Sequence, residues 1–160
     1  MTDYTLDTNI LILLNRHYPR DIFPGPWEEL EALIAAHHAC ICREVFDELA
    51  RGGDQLHSWA KDETGFVCEI TAAEIPIVDA ISTAHPTWVQ GTSNAADPWL
   101  IAHAVTAGRT IVTEERRAGD NVQDHNQKIP NVASEHHVDA INFFALARAE
   151  RWQFSADRDT

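Results

Sequence analysis

The chain has 160 residues, 44% of them apolar and 23% charged, and a net charge of −13 with neutral histidines. That length and apolar content suit one globular domain with a real core, and exclude a low-complexity or disordered chain. The acidic balance argues against binding bare nucleic acid through a general basic surface. Such binding would need clustered cations or a metal ion to offset the charge.

No apolar run approaches the roughly 20 residues of a membrane span. The N-terminal segment carries Asp3 where a secretory leader would be basic. Three cysteines, Cys40, Cys42 and Cys68, cannot all pair. The expectation is a cytoplasmic protein with reduced thiols.

Taken in order, Thr2 to Leu6 reads as a buried first strand and Ile10 to Leu14 as the start of a helix, with Asp7-Thr8-Asn9 between them. Phe23-Pro24-Gly25-Pro26 reads as a turn, with Pro26 opening a second helix. Trp27, Leu30, Leu33 and Ile34 repeat there at helical spacing, and Glu28, Glu29 and Glu31 fall in the first turns. His37-His38 closes that helix. Ala39 to Cys42 is the second strand. The segment His37-His38-Ala39-Cys40-Ile41-Cys42 lacks the spacing of a local zinc motif, and Cys40 and Cys42 read as one face of a buried strand.

A third helix begins near Arg43, with Val45, Phe46 and Leu49 inward, and stops at Gly52-Gly53. Leu56, Trp59 and Ala60 mark a short helix, and Phe66 to Cys68 a short strand. Ala72 to Ala84 is helical in period, interrupted early by Pro76. A polar loop leads to Asn94–Ala104, an apolar helix that ends at Gly108. Arg109 to Thr113 is the clearest strand, followed at once by Glu114-Glu115. Ala118 to Lys128 reads as loop. Ile129 to Val132 reads as an edge strand, because Pro130 would be confined to an edge. Val138 to Arg151 reads as the last helix, with Ile141, Phe144 and Ala145 inward, and the tail after Phe154 as frayed. Strands alternating with helices predict a three-layer α/β/α fold around a parallel sheet of four to five strands.

Acidic residues punctuate this order. Asp7 follows the first strand, Glu48 lies in the helix after the second, Asp97 opens the long apolar helix, and Glu115 follows the late strand. A carboxylate at the C-terminal end of a first strand sits where open α/β sheets bind ligands. It is also a good helix N-cap, as Asp97 before Pro98 would be. Carboxylates that converge without Lys or Arg among them repel one another and predict a cation.

Four segments, in this order, carry a resemblance to the PIN-domain family of metal-dependent ribonucleases: Leu6-Asp7-Thr8-Asn9-Ile10-Leu11, Val45-Phe46-Asp47-Glu48-Leu49, Ala96 to Ala104, and Ile111-Val112-Thr113-Glu114-Glu115. The resemblance runs from about Tyr4 to the last helix. The chain looks closest to a longer branch of the family, with its Asp-Pro-Trp helix start and its Lys128-Ile129-Pro130 segment.

The resemblance implies one PIN-like domain over residues 1–160, and an RNA endonuclease dependent on Mg²⁺ or Mn²⁺. Many such domains are toxins of VapBC-type toxin–antitoxin pairs, so an antitoxin protein and a homodimer are the implied partners. The family's acidic positions map to Asp7, Glu48, Asp97 and Glu115. Asp7, Asp97 and Glu115 are the implied metal ligands, and Glu48 completes the site or acts through water. At the fourth position the family more often has Asp, and Glu114 competes with Glu115. Asn9 and Thr113 are placed to orient ligands or water. Arg116, Arg117 and Lys128 are the candidate RNA contacts, against the alternative of a solvated basic turn. Trp99 reads as core, and His103 as structural or surface.

Two other readings are available. One is a non-catalytic PIN-like module that binds a basic partner protein. The other is a phosphatase of the haloacid-dehalogenase type, disfavoured because Asn9 stands where that chemistry needs a second Asp.

Overall fold

The computed structural model describes residues 2–156, the side chain of Asp54 excepted, so residues 157–160 of the tail expected to fray lie outside it. Five parallel strands form one sheet: β1 (Tyr4–Leu6), β2 (Ala39–Cys42), β3 (Val67–Cys68), β4 (Thr110–Val112) and β5 (Ala140–Ile141), in the order β3-β2-β1-β4-β5. All residues of β1 and β2 are buried, as strands covered on both faces must be.

The eight helices among the described residues are α1 (Thr8–His17), α2 (Pro24–Ala35), α3 (Arg43–Gly52), α4 (Asp54–Asp62), α5 (Ile75–Ala84), α6 (Asp97–Ala107), α7 (Ile129–Glu135) and α8 (Phe143–Ala149). Helix α6 lies across β1, β2 and β4 and packs on α5 and α7, while α1, α3 and α4 pack on one another. None of these helices is long and apolar enough to cross a membrane.

The chain winds outward from β1 through β2 to β3, returns across the sheet by α6, and continues outward on the other side through β4 to β5. The order therefore reverses between β1 and β4. A crevice opens at the carboxyl ends of strands at such a point.

Register fixes what lines that crevice. Leu6 pairs with Val112, so Asp7 and Thr113 are the first residues past the sheet on neighbouring strands. The Asp7 amide donates to the Val112 carbonyl at 2.9 Å, which closes the ladder at that end.

Several local expectations are corrected. Helix α2 begins at Pro24, so Pro26 is its third residue and its first turn holds no acid. Glu31 instead pairs with Arg20 and accepts the Trp59 indole N–H at 3.1 Å. Helix α5 begins at Ile75, with Pro76 at its second position, where a missing N–H costs nothing.

The segment expected to be an edge strand is helix α7. Ile129, Val132 and Ala133 are buried at i, i+3 and i+4, and Pro130 sits in its first turn. The expected last helix is broken in two by Asn142. Ala140–Ile141 joins the sheet as β5, and the Asn142 side chain then accepts from the Ala145 amide at 2.8 Å to cap α8. Phe143 and Leu146 turn inward, and Phe144 is exposed.

Gly108 caps α6 with φ 65° and ψ 39°, and a Cβ added there would meet no atom within 4 Å. The cost of a side chain at this position is therefore conformational rather than steric. Gly108→Ala is expected to lower stability by about 1 kcal/mol, read as a lower urea midpoint with an unchanged m-value.

Candidate active site

Asp7 occupies the N-cap position of α1 with extended backbone, yet its side chain makes no capping hydrogen bond. The carboxylate turns instead to β4, where Thr113 Oγ1 donates to Oδ2 at 2.8 Å. Thr113 is itself held from two sides. Asn9 Nδ2 donates to its hydroxyl oxygen at 3.1 Å, and so does the Glu115 amide at 3.1 Å. The Asn9 carbonyl oxygen accepts from the Glu114 amide at 3.1 Å, pinning the chain just beyond β4 to the start of α1.

Asp97 is the first residue of α6 rather than its cap, which is Ala96, and it makes no side-chain cap. Pro98 is the second helical residue. Glu48, on α3, accepts from Thr8 Oγ1 at 2.7 Å. Glu115 accepts from the Ile129 amide at 2.8 Å through Oε2, and its Oε1 lies 3.9 Å from Lys128 Nζ. Glu114 points elsewhere: its Oε1 accepts from the Phe143 amide at 2.9 Å, at the start of α8. Of the two adjacent acids, Glu115 is the one whose charge acts on Asp7 and Asp97.

The electrostatics report convergence. Burial pushes the Asp7 carboxyl up to about 7, against the hydrogen bond from Thr113, and the charges of Glu115 and Glu48 add to the rise. Burial likewise pushes Asp97 up to about 8, helped by Asp7, Glu115 and Glu48 and opposed by Lys128. The four acids from four elements therefore sit in one another's field. They are not closed on one point: among the described residues no three bring a carboxylate oxygen each within 4.8 Å. A set of hard oxygen donors, buried at a cost and spaced beyond direct mutual contact, fits a hydrated Mg²⁺ or Mn²⁺ that keeps some of its waters.

Two open grooves adjoin these residues. One, of about 580 Å³, runs from Thr8 and Glu48 past Arg16 and Arg51. The other, also about 580 Å³, runs from Thr113 and Glu115 past the exposed Arg116 and Arg117. Arg117 donates to Ser134 Oγ at 3.1 Å. Arg16 and Arg51 were not singled out from sequence, because one lies at the end of α1 and the other at the end of α3, far apart in the chain. The Thr8 hydroxyl and the Ile129 amide were missed as well. The first followed Asp7 as an ordinary helix starter, and the second lay in a segment read as strand. Trp99 is partly buried against the core, as expected. His103 is buried, 6% exposed, and faces Cys40 rather than the acids.

The fold is PIN-like. The chain is similar to VapBC2 from Rickettsia felis, solved bound to a DNA fragment from its promoter, with 16% identity over 89% of this chain and 99% of that one and a TM-score of 0.54. It is equally similar to FitAcB from Neisseria gonorrhoeae, with 16% identity over 87% and 96% and a TM-score of 0.54. DNA-bound VapBC from Salmonella typhimurium gives 19% identity over 89% and 98% and a TM-score of 0.52. Residues 4–154 match the family model described as Domain of unknown function (DUF4411), and the chain belongs to that family. No curated protein sequence matches it.

The raised carboxyls set a pH dependence. Asp7 and Asp97 hold protons more tightly in the folded chain than in the unfolded one, where they titrate near 4. Folding therefore takes up protons between about pH 4 and 8, and stability falls as pH rises through that range. Metal-free protein is expected to melt lower at pH 8 than at pH 5. Asp97→Asn is expected to recover up to about 3 kcal/mol at pH 8, or roughly 6–12 °C. Added Mg²⁺ is expected to raise the wild-type melting temperature more at pH 8 than at pH 5. Calorimetry across pH checks all three, and a wild-type curve flat from pH 5 to 8 contradicts the assignment.

Proposed function

We propose that the chain is a divalent-metal-dependent RNA endonuclease, the toxin of a toxin–antitoxin pair with a small antitoxin protein as partner. The observation that carries the catalytic part is the convergence of Asp7, Glu48, Asp97 and Glu115 at the β1/β4 switch point, with Asp7 and Asp97 driven toward protonation by burial and mutual repulsion. The partner rests on the fold likeness to VapBC and FitAcB proteins.

In this reading Asp7, Asp97 and Glu115 hold Mg²⁺ or Mn²⁺, with Glu48 completing the site or acting through water. The bound ion supplies an activated water and stabilises charge on the phosphoryl oxygens. The chain's own groups supply position. Thr113, fixed by Asn9 and the Glu115 amide, holds the Asp7 carboxylate in one orientation. The Ile129 amide does the same for Glu115, and the Thr8 hydroxyl for Glu48. Such outer hydrogen bonds set ligand orientation and basicity.

Arg16 and Arg51 in one groove, Arg116 and Arg117 in the other, and Lys128 beside Glu115 contact phosphates along a strand laid through both grooves. Contacts of this kind position a strand without reading its sequence. They also reconcile strand binding with the charge of −13, because the cations sit only where the backbone would pass.

Cleavage of a mixed RNA pool with Mg²⁺, Mn²⁺ or EDTA tests the reading. Cutting is expected to need metal, and to fall about 100-fold or more in Asp7→Asn and in Asp97→Asn with circular dichroism unchanged, as a loss of several kcal/mol of charge stabilisation requires. Cutting that survives both substitutions would refute the site. Absence of cutting by any form would favour the binding-module alternative.

The two adjacent glutamates divide by role. Glu115→Gln is expected to lose cleavage with little change in stability, because its weaker bond to the Ile129 amide is offset by relief of the repulsion on Asp7 and Asp97. Glu114→Gln is expected to keep cleavage and lose about 1 kcal/mol of stability, since a neutral acceptor serves the Phe143 amide less well. Parallel rate assays and urea titrations separate them, and the reverse pattern would make Glu114 the fourth acid.

A further inference from the structure

Helix α6 has a second chemical end. Six residues beyond Asp97, about 9 Å along the helix axis, His103 meets two cysteines from the sheet. Cys40 Sγ, Cys68 Sγ and a His103 ring nitrogen all lie within 4.8 Å of one another. Cys40 is 2% exposed and His103 6%, while Cys68 is half-buried. These residues come from β2, the end of β3 and the middle of α6, so no local spacing announces them.

The histidine is oriented. Its Nδ1 lies 3.2 Å from Oε1 of Glu74, a carboxylate only 1% exposed. The other Glu74 oxygen accepts from the Thr71 amide. With Nδ1 engaged, Nε2 faces the sulfurs, 3.2 Å from Cys40 Sγ. Carboxylate, histidine and then soft ligands is the arrangement that fixes a metal-binding imidazole and raises its basicity.

A second observation concerns Thr5. It pairs in register with Cys40, is wholly buried, and its hydroxyl has no hydrogen-bond partner. A Cys40 thiolate would supply the missing acceptor. The buried Glu74 carboxylate is held between His103 and the Thr71 amide, and the face of His103 turned from it meets the two sulfurs.

We propose that Cys40, Cys68 and His103 bind Zn²⁺, with Glu74 holding the histidine and water at the fourth position on the Cys68 side. Tetrahedral zinc, with Zn–S about 2.3 Å and Zn–N about 2.0 Å, spaces its ligands about 3.5–3.8 Å apart, within the reach of this trio. Two thiolates and an imidazole select zinc over Mg²⁺ or Mn²⁺. The ion joins the two-residue edge strand β3 to β2 and α6. It is a clip remote from the acids and independent of the proposed cleavage.

Titration of the reduced, chelator-stripped full chain with Co²⁺ tests this. A sulfur-to-cobalt charge-transfer band is expected to saturate at one equivalent and to vanish on adding one equivalent of Zn²⁺. Cys68→Ser and His103→Gln are expected to lose the band, and Glu74→Gln to weaken binding roughly 10–100-fold. Cys42→Ser and Asp7→Asn are expected to keep it, which separates this site from both the third cysteine and the acids. Wild type without the band would overturn the proposal, whatever the variants do. A band of full strength in Cys68→Ser, or one lost in Asp7→Asn, would overturn it too.

Discussion

The pairing of β1 with β4 is the constraint on which the rest depends. These strands are distant in sequence, and they meet because α6 carries the chain back across the sheet. Once Leu6 is opposite Val112, Asp7 and Thr113 must leave the sheet side by side. The hydroxyl then has a carboxylate to serve, and Asn9 and the chain after β4 have each other. A shift of one residue in this register would exchange the two covered faces, set Leu6 and Val112 against the wrong helices, and take Asp7 out of step with Thr113. The core and the acidic site are therefore specified by the same two strands, and a change that loosens one loosens the other.

The acidic site costs the fold something. Asp7 and Asp97 are buried, and each is pushed toward its protonated form by burial and by its acidic neighbours. Among the described residues, Lys128 is the cation paired with Glu115, at a distance too long for a hydrogen bond. Proteins tolerate such local conflict where chemistry needs it and offset it elsewhere. Here the offset is the continuous core from Tyr4 and Leu6 through Leu100 and Ile101 to Leu146. Arginines line the two flanking grooves, Arg16 and Arg51 in one and Arg116 and Arg117 in the other.

Much of the sheet was legible because period and punctuation agree. Thr110-Ile111-Val112 stands between Gly108 and an acidic pair, and Ala39 to Cys42 between a broken helix and a new one. Position relative to such elements is also what made Asp7 and Glu115 stand out. The failures share a cause. Pro130 argues against a central strand, but it suits the first turn of a helix equally well, and three apolar residues cannot decide the period. Val138 to Arg151 carries enough apolar residues to imitate one helix, and only the Asn142 cap shows where strand gives way to helix. Because that break shifts the face, Phe143 is buried and Phe144 exposed, the reverse of what a continuous helix requires. Side-chain partners were the least legible. Whether Glu114 or Glu115 turns toward Asp7 depends on where the Ile129 and Phe143 amides lie, and both follow from the misread segments.

Helix α6 joins two donor sets of opposite character. Its first residue, Asp97, offers hard oxygen among other carboxylates. Its seventh, His103, offers nitrogen beside two sulfurs. Raw affinity would send zinc to almost any site, so a chain that holds two different ions must separate them by ligand chemistry. Thiolates and a carboxylate-held imidazole retain zinc strongly, which keeps that ion away from oxygen donors suited to hydrated Mg²⁺ or Mn²⁺. The apolar turns between the two ends, Leu100 and Ile101 among them, are wholly buried against the sheet. They hold the spacing between the two donor sets fixed.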